Sequence, residues 1–179
     1  MKPEFVQIKT PDKFTLPGLL YEAKGKKRGV VVYLHGNGSS SVFYRNDQRE
    51  QWTTALARQG ISLLLFNNRG AHIIKNLHQQ KNRKIVHTHG GMAYEKIRDC
   101  VSDIDGALAF LKQRGYKNFY LAGESTGANK ICVYNHYQPR NNIKGYILLS
   151  GGDDTGIYYN QLGQKRFHAL LKKARLAKK

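Results

Sequence analysis

A serine flanked by glycines lies between two stretches whose residue patterns predict regular structure. Residues 123–127 read G-x-S-x-G; residues 118–122 (NFYLA) have the character of a buried strand, and residues 128–137 (ANKICVYNHY) predict a helix. A tight turn between strand and helix strains the backbone of its central residue, and small neighbours permit that conformation. The pattern predicts that Ser125 occupies such a turn with an exposed hydroxyl, as a nucleophile requires. The alternative is that Ser125 is an ordinary cap of the helix that follows.

A second glycine-containing turn lies about ninety residues upstream. Residues 30–34 (VVVYL) form a near-continuous apolar run, which is typical of a strand buried on both faces, and the run leads directly into His35, Gly36, Asn37 and Gly38. In acyl transfer a carbonyl oxygen becomes an oxyanion, and backbone N–H groups must already point at it. A glycine-rich turn lets the main chain approach that closely. Taken alone, this stretch would be a plain strand-to-loop turn; the two motifs together predict an acyl-transfer site.

The two motifs resemble those of the α/β-hydrolase superfamily, and most closely its bacterial lipase/esterase-like branch. Three stretches are similar to that branch, namely 66–70 (FNNRG), 123–130 (GESTGANK) and 150–156 (SGGDDTG). The resemblance extends over nearly the whole chain. The family often carries histidine immediately before the serine, where this chain has Glu124, a difference that leaves the nucleophile in place.

The resemblance implies an α/β-hydrolase fold and a serine esterase that acts on a carboxylic ester or a related acyl substrate. It implies Ser125 as the nucleophile and the backbone N–H groups of Asn37 and Thr126 as the oxyanion hole. The residues that complete the two motifs are His35, Gly36, Gly123 and Gly127. No cofactor and no metal are expected.

Strand and helix patterns alternate along the chain, which predicts a mostly parallel, doubly wound sheet with helices on both faces. The predicted strands are 5–9, 14–21, 30–34, 61–66, 118–122 and 145–149, and the predicted helices are 47–59, 94–114, 128–137 and a basic amphipathic helix that ends the stretch 156–179. The first two strands, around Pro11 and Asp12, predict an antiparallel hairpin. Residues 67–92 predict a long polar loop. With no repeat and no linker, residues 1–179 are expected to form a single α/β-hydrolase domain.

The acid and base of the expected triad are not evident. In this fold the acid and then the histidine follow the serine in the chain. Only His136 and His168 lie downstream, both in predicted helices where a surface or core role is simpler. Asp153 and Asp154 follow a strand and are the candidate acids, although they fit the start of a turn or helix equally well.

Two histidines of the polar loop, His87 and His89, offer a base from upstream, against the family order. A serine without a base keeps its proton and is a weak nucleophile. We therefore expect a domain that is incomplete at its carboxyl end, truncated before the last strands, and inactive or impaired as a hydrolase. The alternative is a non-catalytic remnant or one half of a split protein.

Charge and composition define the remaining expectations. The chain has 30 Lys and Arg against 12 Asp and Glu, for a net charge of +18, which permits an anion- or nucleic-acid-binding module as a further alternative. We do not expect nucleic-acid binding, because the basic residues are dispersed and no recognition motif accompanies them. No apolar leader or membrane span is evident, and Cys100 and Cys132 match no metal or disulfide spacing, so we expect buried free thiols and a cytoplasmic location. The apolar strand 145–149 predicts self-association through an exposed edge.

Overall fold

The computed structural model describes residues 2–25, 28–38, 40–44 and 47–177. The strands within these residues are β1 (Glu4–Lys9), β2 (Phe14–Tyr21), β3 (Gly29–Leu34), β4 (Ile61–Phe66), β5 (Lys75–Lys81), β6 (Lys84–Gly90), β7 (Phe119–Glu124) and β8 (Ile143–Leu149). The helices are α1 (Asp47–Arg58), α2 (Cys100–Gln113), α3 (Thr126–Tyr137) and α4 (Asp154–Leu176), and a 3-10 turn (Ile97–Asp99) precedes α2.

One mixed sheet contains all eight strands. The strand order is β6-β5-β2-β4-β3-β7-β8, and β1 pairs with β2. The four strands β4, β3, β7 and β8 run parallel to one another, whereas β1 and β2 form the antiparallel hairpin that the sequence predicts. The expected α/β class is confirmed, and its sheet is mixed because the hairpins β1–β2 and β5–β6 add antiparallel strands.

The central strand β3 shows why the apolar runs lie where they do. All six residues of β3 are buried, since the strand has neighbours on both edges and helices over both faces. Val30, Val32 and Leu34 pack with α2 and α3 on one face of the sheet. Val31 and Tyr33 pack on the other face, against Trp52 and Leu56 of α1. The doubly wound arrangement therefore places the carboxyl end of β3 beside that of β7.

Residues 67–92 differ from their sequence prediction. Instead of a long loop, they contain β5 and β6, which pair antiparallel from Lys75 with Gly90 to Lys81 with Lys84. Only Leu77 of β5 is buried, so the strands lack the apolar alternation by which strands are recognised. The pairing of β5 with β2 at Phe14 and Thr15 attaches this polar hairpin to the sheet.

The main helix begins later than the sequence predicts. The backbone of Lys96 is extended (φ −98°, ψ 130°), which interrupts the pattern of residues 94–114, and the α-helix starts only at Cys100. Ile97, which the periodic pattern assigns to the apolar stripe, is 43% exposed. Of the two cysteines, Cys100 is buried as expected, but Cys132 is exposed, so the prediction for Cys132 is wrong.

The strand β8 lies at the end of the sheet, with β7 as its only partner among the described residues. Tyr146, Ile147 and Leu148 are 40%, 42% and 50% exposed. The following helix does not cover them, because none of the described residues of α4 is buried and Gly163 (φ 72°) interrupts the helix. The apolar side expected for this helix is therefore exposed, with Leu170 among its exposed side chains.

Candidate active site

Ser125 occupies a sharp turn between β7 and α3. Its backbone has φ 54° and ψ −125°, in the region that residues other than glycine rarely adopt. The side chain is exposed and lines a cavity of about 450 Å³. The Ser125 amide donates to the Leu149 carbonyl at 2.8 Å, which ties the turn to the end of β8. A strained residue held by its surroundings in this way is typical of a functional site.

The glycines on either side of Ser125 are required by close contacts between main chains. A Cβ on Gly123 would overlap the carbonyl of Gly127, and a Cβ on Gly127 would overlap the carbonyl of Leu34 at the end of β3. The first turn of α3 therefore packs directly on the backbone that precedes His35. Both positions accept only glycine without a shift of the main chain.

The loop after β3 lies opposite the serine. A Cβ on Gly36 would lie 3.1 Å from the Cβ of Ser125 and 3.6 Å from its Oγ, so the loop approaches the serine closely at this glycine. Asn37 lines the same cavity as Ser125. Among the described residues, neither the Asn37 amide nor the Thr126 amide has an acceptor. Thr126 begins α3, and amides at a helix N-terminus favour a nearby negative charge.

His35 is buried and neutral. Burial lowers the pKa of its imidazole to about 3. Its Nδ1 lies 2.7 Å from the Gly36 carbonyl, and because a carbonyl only accepts, Nδ1 carries the proton. Nε2 is buried without a partner among the described residues. An imidazole with so low a pKa is a weak general base, and the bond from Nδ1 holds the His35 ring against the loop backbone.

A carboxylate and a guanidinium flank the cavity beside the serine. Glu124 accepts a hydrogen bond from the Tyr33 hydroxyl at 2.6 Å, and burial together with this bond raises the pKa of Tyr33. Arg49 of α1 donates to the Ser41 carbonyl at 3.3 Å and 3.4 Å. Tyr33, Arg49 and Glu124 also line a second cavity of about 450 Å³ on the side of β8. Sequence patterns did not single out Tyr33 or Arg49, because both lie within ordinary strand and helix patterns.

No histidine ring in the described residues makes a hydrogen bond to the Ser125 hydroxyl. His87 and His89 lie on β6, at the opposite end of the sheet order from β7, where they pack on His78 and Tyr94. The upstream alternative for a base is therefore wrong. His136 packs on its neighbour Tyr137, and His168 packs on Tyr159 and Phe167.

The two candidate acids lie at the start of α4. Asp153 accepts a hydrogen bond from the Gly156 amide at 2.9 Å and caps the helix. Asp154 accepts from the Asn129 side chain at 3.0 Å. Neither carboxylate lines the cavity of Ser125, and Asp153 has the backbone partner expected at a helix start.

Two features are absent from the part of the chain that the structure describes. That part contains no cluster of three or more histidine, cysteine or acidic residues able to hold a metal ion. It also contains no helix with the length and apolar character needed to cross a bilayer.

Comparison with solved structures shows which fold the chain shares. Esterase Pf2001 of Pyrococcus furiosus is 20% identical, with a TM-score of 0.57, and the match covers 90% of this chain and 55% of that chain. Est1E from Butyrivibrio proteoclasticus is 16% identical, with a TM-score of 0.61, and the match covers 89% and 57%. A thermostable carboxyl esterase from Bacillus coagulans is 15% identical, with a TM-score of 0.60 and coverage of 90% and 49%. The chain thus spans about half the length of these proteins.

Sequence comparison identifies the family. No curated protein matches the chain. The family model Hydrolase_4, described as serine aminopeptidase, S33, matches residues 25–177, which include the loop after β3 and the turn that carries Ser125. The chain therefore belongs to the Hydrolase_4 family of the α/β-hydrolase superfamily.

Proposed function

We propose that the chain carries the nucleophile and the oxyanion hole of a serine hydrolase that acts on a carboxylic ester or a related small acyl substrate. Ser125 is the proposed nucleophile, and the amides of Asn37 and Thr126 are the proposed oxyanion donors. The observation that carries this proposal is the strained backbone of Ser125, with its exposed hydroxyl beside the loop of Gly36. The esterases with the same fold support the choice of an ester substrate.

The proposed reaction begins with attack of the Ser125 hydroxyl on the ester carbonyl. The carbonyl oxygen becomes an oxyanion, and the two amides stabilise it because neither has an acceptor among the described residues. The alcohol leaves, and water then hydrolyses the acyl-serine. Both steps need a base to move the serine and water protons, and none of the described side chains bonds to Ser125 Oγ.

We therefore propose that this chain by itself reacts slowly. Donors that stabilise the oxyanion give residual catalysis without a base, on the order of 10³- to 10⁴-fold over water. A cytoplasmic location stays part of the proposal, supported by two cysteines that form no disulfide.

A fluorophosphonate probe tests the nucleophile directly, because the serine oxygen attacks phosphorus and displaces fluoride. The proposed oxyanion donors assist this step without a base, so labelling should be slow but should go to completion. We expect the probe to label the chain, peptide mass spectrometry to place the adduct on Ser125, and the Ser125→Ala variant to show no labelling. Ser150→Ala is a matched control, since Ser150 also has a positive φ (50°) and lines the adjoining cavity. Labelling of the Ser125→Ala variant would place the nucleophile elsewhere, and no labelling of the unaltered chain would favour the non-catalytic alternative.

A further inference from the structure

A fully buried lysine lies in the second turn of the helix that follows Ser125. The side chain of Lys130 is 0% exposed, and its Nζ lies 2.7 Å from Glu95 Oε1 as an ion pair. Lys130 also donates a hydrogen bond to Asn68 Oδ1 at 3.1 Å. Its neighbour Ile131 and the nearby Tyr134 belong to the apolar core. Because a buried ion pair often stabilises a fold no better than apolar side chains of similar volume, stability alone does not explain this lysine.

The partners of Lys130 are held in fixed places. Glu95 packs directly on Gly70, where a Cβ would overlap its carboxylate. Asn68 Oδ1 accepts a second hydrogen bond, from the Gly70 amide, at 3.1 Å. The segment after β4 thus provides Asn68 Oδ1 as an acceptor for Lys130, and Gly70 leaves room for the Glu95 carboxylate that pairs with the lysine charge.

The preceding residue, Asn67, contacts the loop that follows β3 on the opposite side of the serine. Asn67 Oδ1 accepts from the Val42 amide at 2.8 Å, and Asn67 Nδ2 donates to Ser41 Oγ at 2.9 Å. Ser41 and Val42 continue the loop that begins at Gly36 and Asn37, opposite Ser125. Two adjacent residues, Asn67 and Asn68, therefore contact the loop on one side and the helix of the serine on the other.

We propose that Lys130 is a positioning residue that couples the helix of Ser125 to the opposite loop through Asn68 and Asn67. The ammonium fixes the second turn of α3 against Asn68, and the adjacent Asn67 fixes the loop through Val42 and Ser41. The distance between the serine and the loop amides is thereby set by two groups of buried polar contacts, which the backbone joins at the adjacent residues Asn67 and Asn68. The coupling itself does not depend on catalysis, whereas its effect on rate rests on the proposed function of Ser125.

The coupling is tested by amide NMR spectra of the full chain and its Lys130→Met variant. We expect the amide of Val42 to shift, although Val42 does not touch Lys130, together with the amide of Thr126. Leu111→Ala is the control, since Leu111 is equally buried in the same core but on α2, away from the asparagines. That variant should lose stability while the Val42 amide stays in place.

A double variant separates positioning from charge. Lys130→Met with Glu95→Gln removes both charges, so it should regain stability over Lys130→Met alone while the Val42 amide stays displaced, because the bond to Asn68 is still missing. Labelling of Ser125 should be at least about tenfold slower in both variants. If the Val42 amide is unmoved in both, the coupling is refuted. If the unaltered chain does not label, the proposed function fails, while the NMR result still decides the coupling.

Discussion

Replacing Asp103 by asparagine should lower the free energy of unfolding by about 3 kcal/mol. The Asp103 side chain is 0% exposed and lies 2.7 Å and 2.8 Å from two nitrogens of the Arg69 guanidinium. Its other oxygen accepts from the Arg69 backbone amide at 2.9 Å. Asparagine has one acceptor oxygen, so its amide nitrogen would face a donor on one side or the other.

The magnitude follows from the groups left without a partner. Loss of a charged hydrogen bond weakens a fold by about 1.5–3 kcal/mol, and a buried donor that faces another donor adds about 1–3 kcal/mol. Arg69 keeps its ion pair with Asp12, at 2.9 Å, so the loss lies toward the lower end of the range for a broken buried pair. For a protein of this size, 3 kcal/mol corresponds to a fall in Tm of roughly 6–12 °C.

Urea unfolding followed by circular dichroism measures this loss, with Asp99→Asn as the matched control. Asp99 also faces Arg69, but at 3.9 Å and with its side chain 33% exposed, so its removal should change stability by less than about 1 kcal/mol. With an m-value of about 2 kcal/mol/M, the urea midpoint of Asp103→Asn should fall by about 1.5 M. Equal midpoints for the two variants would refute a structural role for the buried Arg69–Asp103 pair.

Three further predictions concern the turn, the loop and the edge strand. Gly127→Ala should abolish fluorophosphonate labelling and destabilise the chain by about 1–3 kcal/mol, because the alanine methyl would displace the backbone of Leu34. Labelling of this variant at the rate of the unaltered chain would contradict the prediction. His35 has a pKa of about 3 against an ordinary 6.5, so its ring should stay neutral in NMR titrations above about pH 4, and a titration near pH 6.5 would contradict this. The free energy of unfolding should fall as the pH drops from 6.5 toward 3, since only the unfolded chain takes up the proton in that range. The exposed edge of β8 should associate with a second copy, and Ile147→Lys should shift sedimentation toward the monomer; a concentrated monomer without the substitution would contradict this.

The core of the sheet and the turn of the serine were predictable from residue patterns alone. Residues 14–21 and 61–66 were predicted as strands with the bounds that the structure has, because short apolar runs of this length between turn residues favour buried strands. The glycines on either side of Ser125 predict a sharp turn, because a turn of this kind brings backbone segments too close together for a Cβ. These features depend on the local sequence, so they can be predicted before the neighbouring strands and helices are known.

Two features depended on contacts distant in sequence. The polar pattern of β5 and β6 predicts a loop, but the two strands form because Leu77 of β5 is buried in the core and because Phe14 and Thr15 of β2 pair with β5. The helix α2 begins at Cys100, later than predicted, because the backbone of Lys96 is extended and the preceding Glu95 pairs with Lys130 of α3.

Residue patterns predicted the apolar strands, the hairpin of β1 and β2 and the serine on a tight turn, because periodicity and glycine spacing are local properties of the chain. The pairing of buried polar groups, by contrast, depends on contacts between elements that are distant in the chain. The ion pair of Lys130 with Glu95 joins residues 35 positions apart, and the hydrogen bond of Asn67 to Val42 spans 25 positions. Such contacts form only once the sheet has folded, since burial then leaves each charge or amide with the few partners within its reach.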